Sequence, residues 1–162
     1  MSTPTSVAGH PVHPMLVPIP IGLWIFSLVA DIVFRSGGAP VWQPIAFWTM
    51  AGGLVGALAA AIPGFIDFLS LRDRRTWRLA ATHMALNLTI VTTYAVNLWL
   101  RSHPVPATAL PFYLSLFAIA LLLVSGWIGG EMVYVRGVGV ASAYAPGEPT
   151  IRAERRDLPR TG

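Results

Sequence analysis

Residues 46–69 read AFWTMAGGLVGALAAAIPGFIDFL, with no charge before Asp67. A helix rises 1.5 Å per residue, so the uncharged part alone covers the roughly 30 Å of a bilayer's hydrocarbon core. Three further apolar stretches, at about 15–34, 79–100 and 109–134, are long enough to do the same. The connections are short, so neighbouring helices are expected to run antiparallel. The fold class expected is all-α, an integral membrane four-helix bundle. Trp42, Trp48, Trp77 and Trp99 fall near span ends, where amphipathic rings favour the headgroup layer. Composition agrees: 11% of residues are charged, against roughly 25% in a soluble domain.

The chain divides into an N-terminal HPVHP segment (1–14), a transmembrane domain (15–136) and a tail (137–162). The tail mixes Pro, Gly, Arg and acids without periodicity and is expected to be flexible and cytoplasmic. All eleven basic residues are Arg, and they are unevenly spread. Arg72, Arg74, Arg75 and Arg78 lie between the second and third spans, and Arg136, Arg152, Arg155, Arg156 and Arg160 follow the fourth. Only Arg35 and Arg101 fall on the other side. This asymmetry places both termini in the cytoplasm and the protein in the inner (cytoplasmic) membrane. It also accounts for the net charge of +4 without nucleic acid, for which no motif is present. No Arg or Lys precedes the first apolar run, so no signal peptide is expected. The absence of Cys excludes disulfides, Cys-ligated zinc, iron–sulfur clusters and covalently attached haem within this chain.

The spans carry packing signals. Gly52, Gly56, Ala60 and Gly64 recur every fourth residue in the second span, and Gly126, Gly129 and Gly130 appear in the fourth. Such spacing lets helix backbones approach closely, or leaves room for a flat cofactor. Pro63 should kink the second span. In the third span His83, Asn87, Tyr94, Asn97 and Arg101 share one helical face, which must look into the bundle or a hydrated crevice. Prolines at 11, 14, 18 and 20 predict that regular helix in the first span begins only between Pro18 and Pro20.

Antiparallel threading gathers His10, His13, Asp67, His83 and Glu131 at the cytoplasmic end. Ionisable groups inside spans are costly and usually functional. Three readings are open. His13 and His83, with His10 nearby, are candidate ligands of a b-type haem, whose propionates Arg72, Arg75 or Arg78 would pair. Alternatively, His10, His13, His83, Glu131 and Asp67 bind a transition metal. Third, they form a structural network in a non-catalytic subunit of a membrane complex. Asp31 is expected to cap its neighbours or to pair with Arg35 or Arg101, and His103 to be an exposed loop residue. No phosphate-binding loop, nucleophile elbow or H-E-x-x-H pair is present. A channel or proton path would need a homo-oligomer.

The opening GHPVHPMLVPIPIGLWIFSLVADIV, the stretch THMALN at 82–87 and the ending GGEMVYVRGVGV resemble a bacterial membrane family, domain of unknown function 2231, over about residues 9–140. The resemblance implies a small four-span protein, some of whose relatives are joined to Rieske-type iron–sulfur domains. A membrane or iron–sulfur redox partner is therefore expected on a separate chain. The family brings no established catalytic residues.

The Arg asymmetry carries a direct test. Reporter fusions at Gly162 and within 36–40 should report opposite compartments, the C-terminal one cytoplasmic. Activity of the C-terminal reporter outside the cytoplasm would reverse the orientation.

Overall fold

The computed structural model describes residues 3–103 and 109–140. Four helical stretches are long and apolar enough to cross a membrane: Val12–Arg35, Trp42–Leu69, Arg74–Ser102 and Leu110–Val135. The first comprises α1 (Val12–Leu16) and α2 (Pro18–Arg35), the second is α3 and the third α4. The fourth is α5 (Leu110–Gly130), which closes in a π-helical turn at Glu131–Val135. Before α1, β1 (Ser6–Val7) and β2 (His10–Pro11) pair as a small antiparallel hairpin. Its turn, Ala8–Gly9, has positive φ at both residues, as a type I′ hairpin turn requires. The tail expected to be flexible lies beyond residue 140, outside the described residues.

Helix starts earlier than the prolines suggested, at Val12 instead of Pro18–Pro20. Pro14 sits in the first turn of α1 and Pro18 opens α2, positions where no backbone N–H is needed. Around Pro18 the ladder is carried by Val17 N–H to His13 O, 3.1 Å, and Ile21 N–H to Val17 O, 3.4 Å. The third helix also extends past its apolar run, over Arg74–Arg78. Asp73 caps it, accepting from the Thr76 backbone N–H at 2.8 Å and the Thr76 hydroxyl at 2.7 Å. These two bonds hold the exposed Asp73 carboxyl below the usual carboxylate range. Helix α3 runs unbroken through Pro63.

The bundle is a closed ring in which α2 packs on α3 and α5, and α4 packs on α3 and α5. Parallel helices α2 and α4 therefore face each other across the middle. Polarity is inverted relative to a soluble protein. Large apolar side chains such as Val55, Leu88, Leu123 and Trp127 point outward, while Ser27, Asp31, Asn97, Ser115 and Ser125 are buried. Lipid can solvate the former and not the latter. The buried serines and Asn97 find partners: Ser27 donates to Ala46 O at 2.7 Å, and Asn97 donates to Pro111 O and Ser115 Oγ.

The glycine row of α3 is a contact surface. A Cβ at Gly52 would stand 3.3 Å from Leu23, at Gly56 3.1 Å from Ile19, and at Gly64 2.6 Å from the His13 ring, while at Gly53, beside the row, it would stand 2.5 Å from the Trp24 indole. The row of the fourth span divides differently. Gly129 lies against His83, 3.3 Å from an added Cβ, but Gly126 has nothing within 4 Å and Gly130 meets only Tyr134. Gly126 and Gly130 are thus not helix-contact positions, because spacing alone cannot say which face of α5 turns inward.

This distinction is measurable. Gly56→Leu should cost about 1–3 kcal/mol through forced repacking against Ile19 and Pro20. Gly126→Leu should stay within about 0.5 kcal/mol, as changes away from packed positions do. Thermal unfolding in detergent reads both, and equal losses would refute the assignment.

Candidate functional site

Helices α2 and α4 reach each other across the middle of the bundle through two side-chain contacts that set their register. Asp31 accepts two bonds from Arg101, at 2.8 Å and 2.5 Å, and the Trp24 and Tyr94 rings stack with centroids 4.4 Å apart. Residue 31 thus meets residue 101 and residue 24 meets residue 94, an offset of 70 both times. Parallel helices rise at the same rate, so the offset persists along them. One heptad below Trp24–Tyr94 it pairs Val17 with Asn87. One turn lower still it brings His13 level with His83.

Both histidines are fixed in the same way. His13 Nδ1 lies 2.7 Å from Ala60 O on α3, and its ring lies against Gly64. His83 Nδ1 lies 2.9 Å from Ser125 O on α5, with Ser125 Oγ at 3.0 Å, and its ring lies over Gly129. A carbonyl only accepts, so each Nδ1 carries the proton and donates it. In the neutral form of each ring the lone pair then sits on Nε2. Neither Nε2 has a hydrogen-bond partner among the described residues. The Ala60 carbonyl also has a local reason to be available. Pro63 lacks the N–H that would bond Ala59 O and crowds the turn that contains Ala60. In membrane helices neighbouring side chains commonly serve such loosened carbonyls.

The remaining candidates are engaged elsewhere. His10 is exposed in the hairpin, its Nδ1 3.0 Å from Ala8 O. Asp67 accepts the Thr5 N–H at 3.1 Å and the Thr5 hydroxyl at 2.7 Å, tying the N-terminal segment down over this end of the bundle. Glu131 pairs loosely with Arg136 at 3.7 Å. Among the described residues no three His, Cys, Asp or Glu side chains come together to hold a metal ion. The five-ligand arrangement of His10, His13, Asp67, His83 and Glu131 is therefore not assembled. Threading had only assigned these residues to one end of the bundle, and within that end local partners claim the carboxylates.

Elsewhere the expectations for Asp31 and His103 are met. Asp31 pairs with Arg101, and His103 is an exposed residue whose ring lies on Trp99 with centroids 4.7 Å apart. The polar stripe of α4 faces inward, with Tyr94 and Asn97 fully buried. The stack of Tyr94 on Trp24 was not foreseen. Its signal was present, since Trp24 and Asp31 stand a heptad apart, as Tyr94 and Arg101 do.

The match to a family model comes with this geometry in view. A model described as a predicted membrane protein, DUF2231, matches residues 9–142, which include His13 and His83. The chain belongs to that family of multi-pass membrane proteins. Comparison with curated proteins and with solved structures gives no match.

Proposed function

We propose that this chain is a haem-binding component of a membrane redox system, in which His13 and His83 would hold the iron through their imidazoles. The observation that carries the reading is the matched state of the two rings. Each is oriented by a carbonyl on its Nδ1 and each leaves Nε2 without a partner. A hydrogen bond on the far nitrogen is what fixes tautomer and orientation in histidines that ligate metals. Two imidazoles suffice for a centre that brings its own equatorial nitrogens, whereas a bare zinc ion needs about four protein or water ligands. A b-type haem held there would supply a reversible one-electron step within the membrane.

The chain's own residues have distinct roles in this reading. Ala60 and Ser125 hold the rings in place, and Gly64 and Gly129 keep the surrounding backbone clear of them. Arg72, Arg75 and Arg78, at the same end, would neutralise propionates. His10, in the exposed hairpin, stays outside the pair. With the Arg asymmetry, this end is the cytoplasmic side of the inner membrane. A separate iron–sulfur protein would be the redox partner, and a homo-oligomer is compatible with the exposed apolar faces. The second reading, a non-catalytic subunit in which the histidines tie helices together, draws on the same hydrogen bonds. Each already joins two helices.

The absorption spectrum separates the two. Protein purified in detergent should show a Soret band and a reduced-minus-oxidised difference typical of six-coordinate haem. His13→Ala and His83→Ala should each abolish it, and His10→Ala should keep it. A folded protein without haem or stoichiometric metal, which fails to take up added haemin saturably, would overturn the proposal in favour of the tying role.

A further inference from the structure

At the opposite end from the histidines, the helix termini enclose a pocket of about 160 Å³, lined among others by Asp31, Arg35, Gln43, Arg101 and Phe112. Two guanidiniums and one carboxylate leave it an excess of one positive charge. Arg101 is committed to Asp31 and Asn97 through three of its five N–H groups, so two donors remain. Arg35, at the end of α2, is exposed. Its guanidinium carbon lies 4.7 Å from the centroid of the Phe112 ring. The ring orients the cation without neutralising it. Arg35 has no ion-pair or hydrogen-bonding side-chain partner among the described residues.

Among the described residues no other acid is placed to balance this charge, since Asp67, Asp73 and Glu131 belong to the other end. Level with the pocket, Trp48, Trp99 and Tyr113 are 69%, 58% and 60% exposed on the outer surface. Exposed Trp and Tyr at the ends of spans mark the boundary between hydrocarbon and headgroups. The pocket therefore sits where a bilayer presents its phosphates. Forked guanidiniums match a phosphate through paired N–H bonds, and Gln43 can add an amide donor.

We infer that this pocket binds a phosphate monoanion, supplied by an anionic phospholipid headgroup at the membrane surface. The inference is independent of any role for the histidines. Delipidated protein should be titrated with phosphatidylglycerol, phosphatidylcholine or inorganic phosphate, with the melting temperature as readout. Phosphatidylglycerol should raise it saturably and more than phosphatidylcholine. Arg35→Gln should remove that increment while keeping the lipid-free melting temperature, since Arg35 is exposed. Arg35→Lys should restore part of it, and Arg78→Gln, at the other end, should leave it intact. An equal Arg35-dependent shift with inorganic phosphate alone would retain the site and assign it to free phosphate. An undiminished shift in Arg35→Gln, or no shift with any of the three, would overturn the inference.

Discussion

A carboxylate and a guanidinium that face each other inside an apolar bundle cannot be left apart. Asp31 and Arg101 are largely buried, with side chains 9% and 16% exposed, and the hydrocarbon of a bilayer offers the carboxylate no donor and the guanidinium no counter-charge. Each charge alone would carry an uncompensated desolvation penalty, so the paired state is strongly preferred once the helices form. The fork geometry narrows it further, because two parallel bonds define the height and rotation of α4 against α2. Asn97 accepts from the remaining Arg101 Nε at 3.0 Å and donates onward to α5, so the pair also ties in the fourth span. The Trp24–Tyr94 stack and the level of His13 with His83 follow from that register.

The surrounding helices adapt to this register. Helix α3 has glycines where Trp24 and His13 lean on it, so those rings lie directly on its backbone at Gly53 and Gly64. Close approach of this kind substitutes for the hydrophobic effect, which does not favour one helix contact over another in lipid. Hydroxyls of Ser27, Ser115 and Ser125 then satisfy groups that neither lipid nor water reaches. Tyr94 is the exception, its buried hydroxyl unpartnered among the described residues. The molecule thus has two polar poles joined by an aromatic stack, with histidines at one end and a cationic pocket at the other.

The membrane fold was legible because its physics is one-dimensional. An apolar run of sufficient length has few alternatives in a bilayer, and a polar stripe at helical spacing must turn inward. The stripe from His83 to Arg101 was read correctly for that reason. The start of the first span was misread because proline is forbidden only where its missing N–H is needed, and Pro14 and Pro18 sit at helix starts. Gly126 was misassigned since small-residue spacing does not identify the inward face. Asp67 and Glu131 were grouped with the histidines by their end of the bundle, a resolution of several ångströms, whereas ligation is decided by hydrogen-bond distances. Thr5 and Arg136 lie nearer. The pocket at Arg35 was not legible, because the sequence offers Arg35 and Arg101 equally as partners of Asp31 and does not show that Arg35 is left over beside Phe112.

The claim on which the account rests is that Asp31 and Arg101 form one closed unit that pins α2 to α4. A double-mutant cycle of Asp31→Asn and Arg101→Gln, followed by reversible unfolding in detergent micelles, tests it. Each single change should cost about 3–5 kcal/mol, because it leaves a buried charge unpaired. The double variant should be little worse than either, giving a coupling energy of at least about 1.5 kcal/mol. Effects that add to within about 0.5 kcal/mol would mean the two residues do not act as a pair, and the register drawn from them would fall.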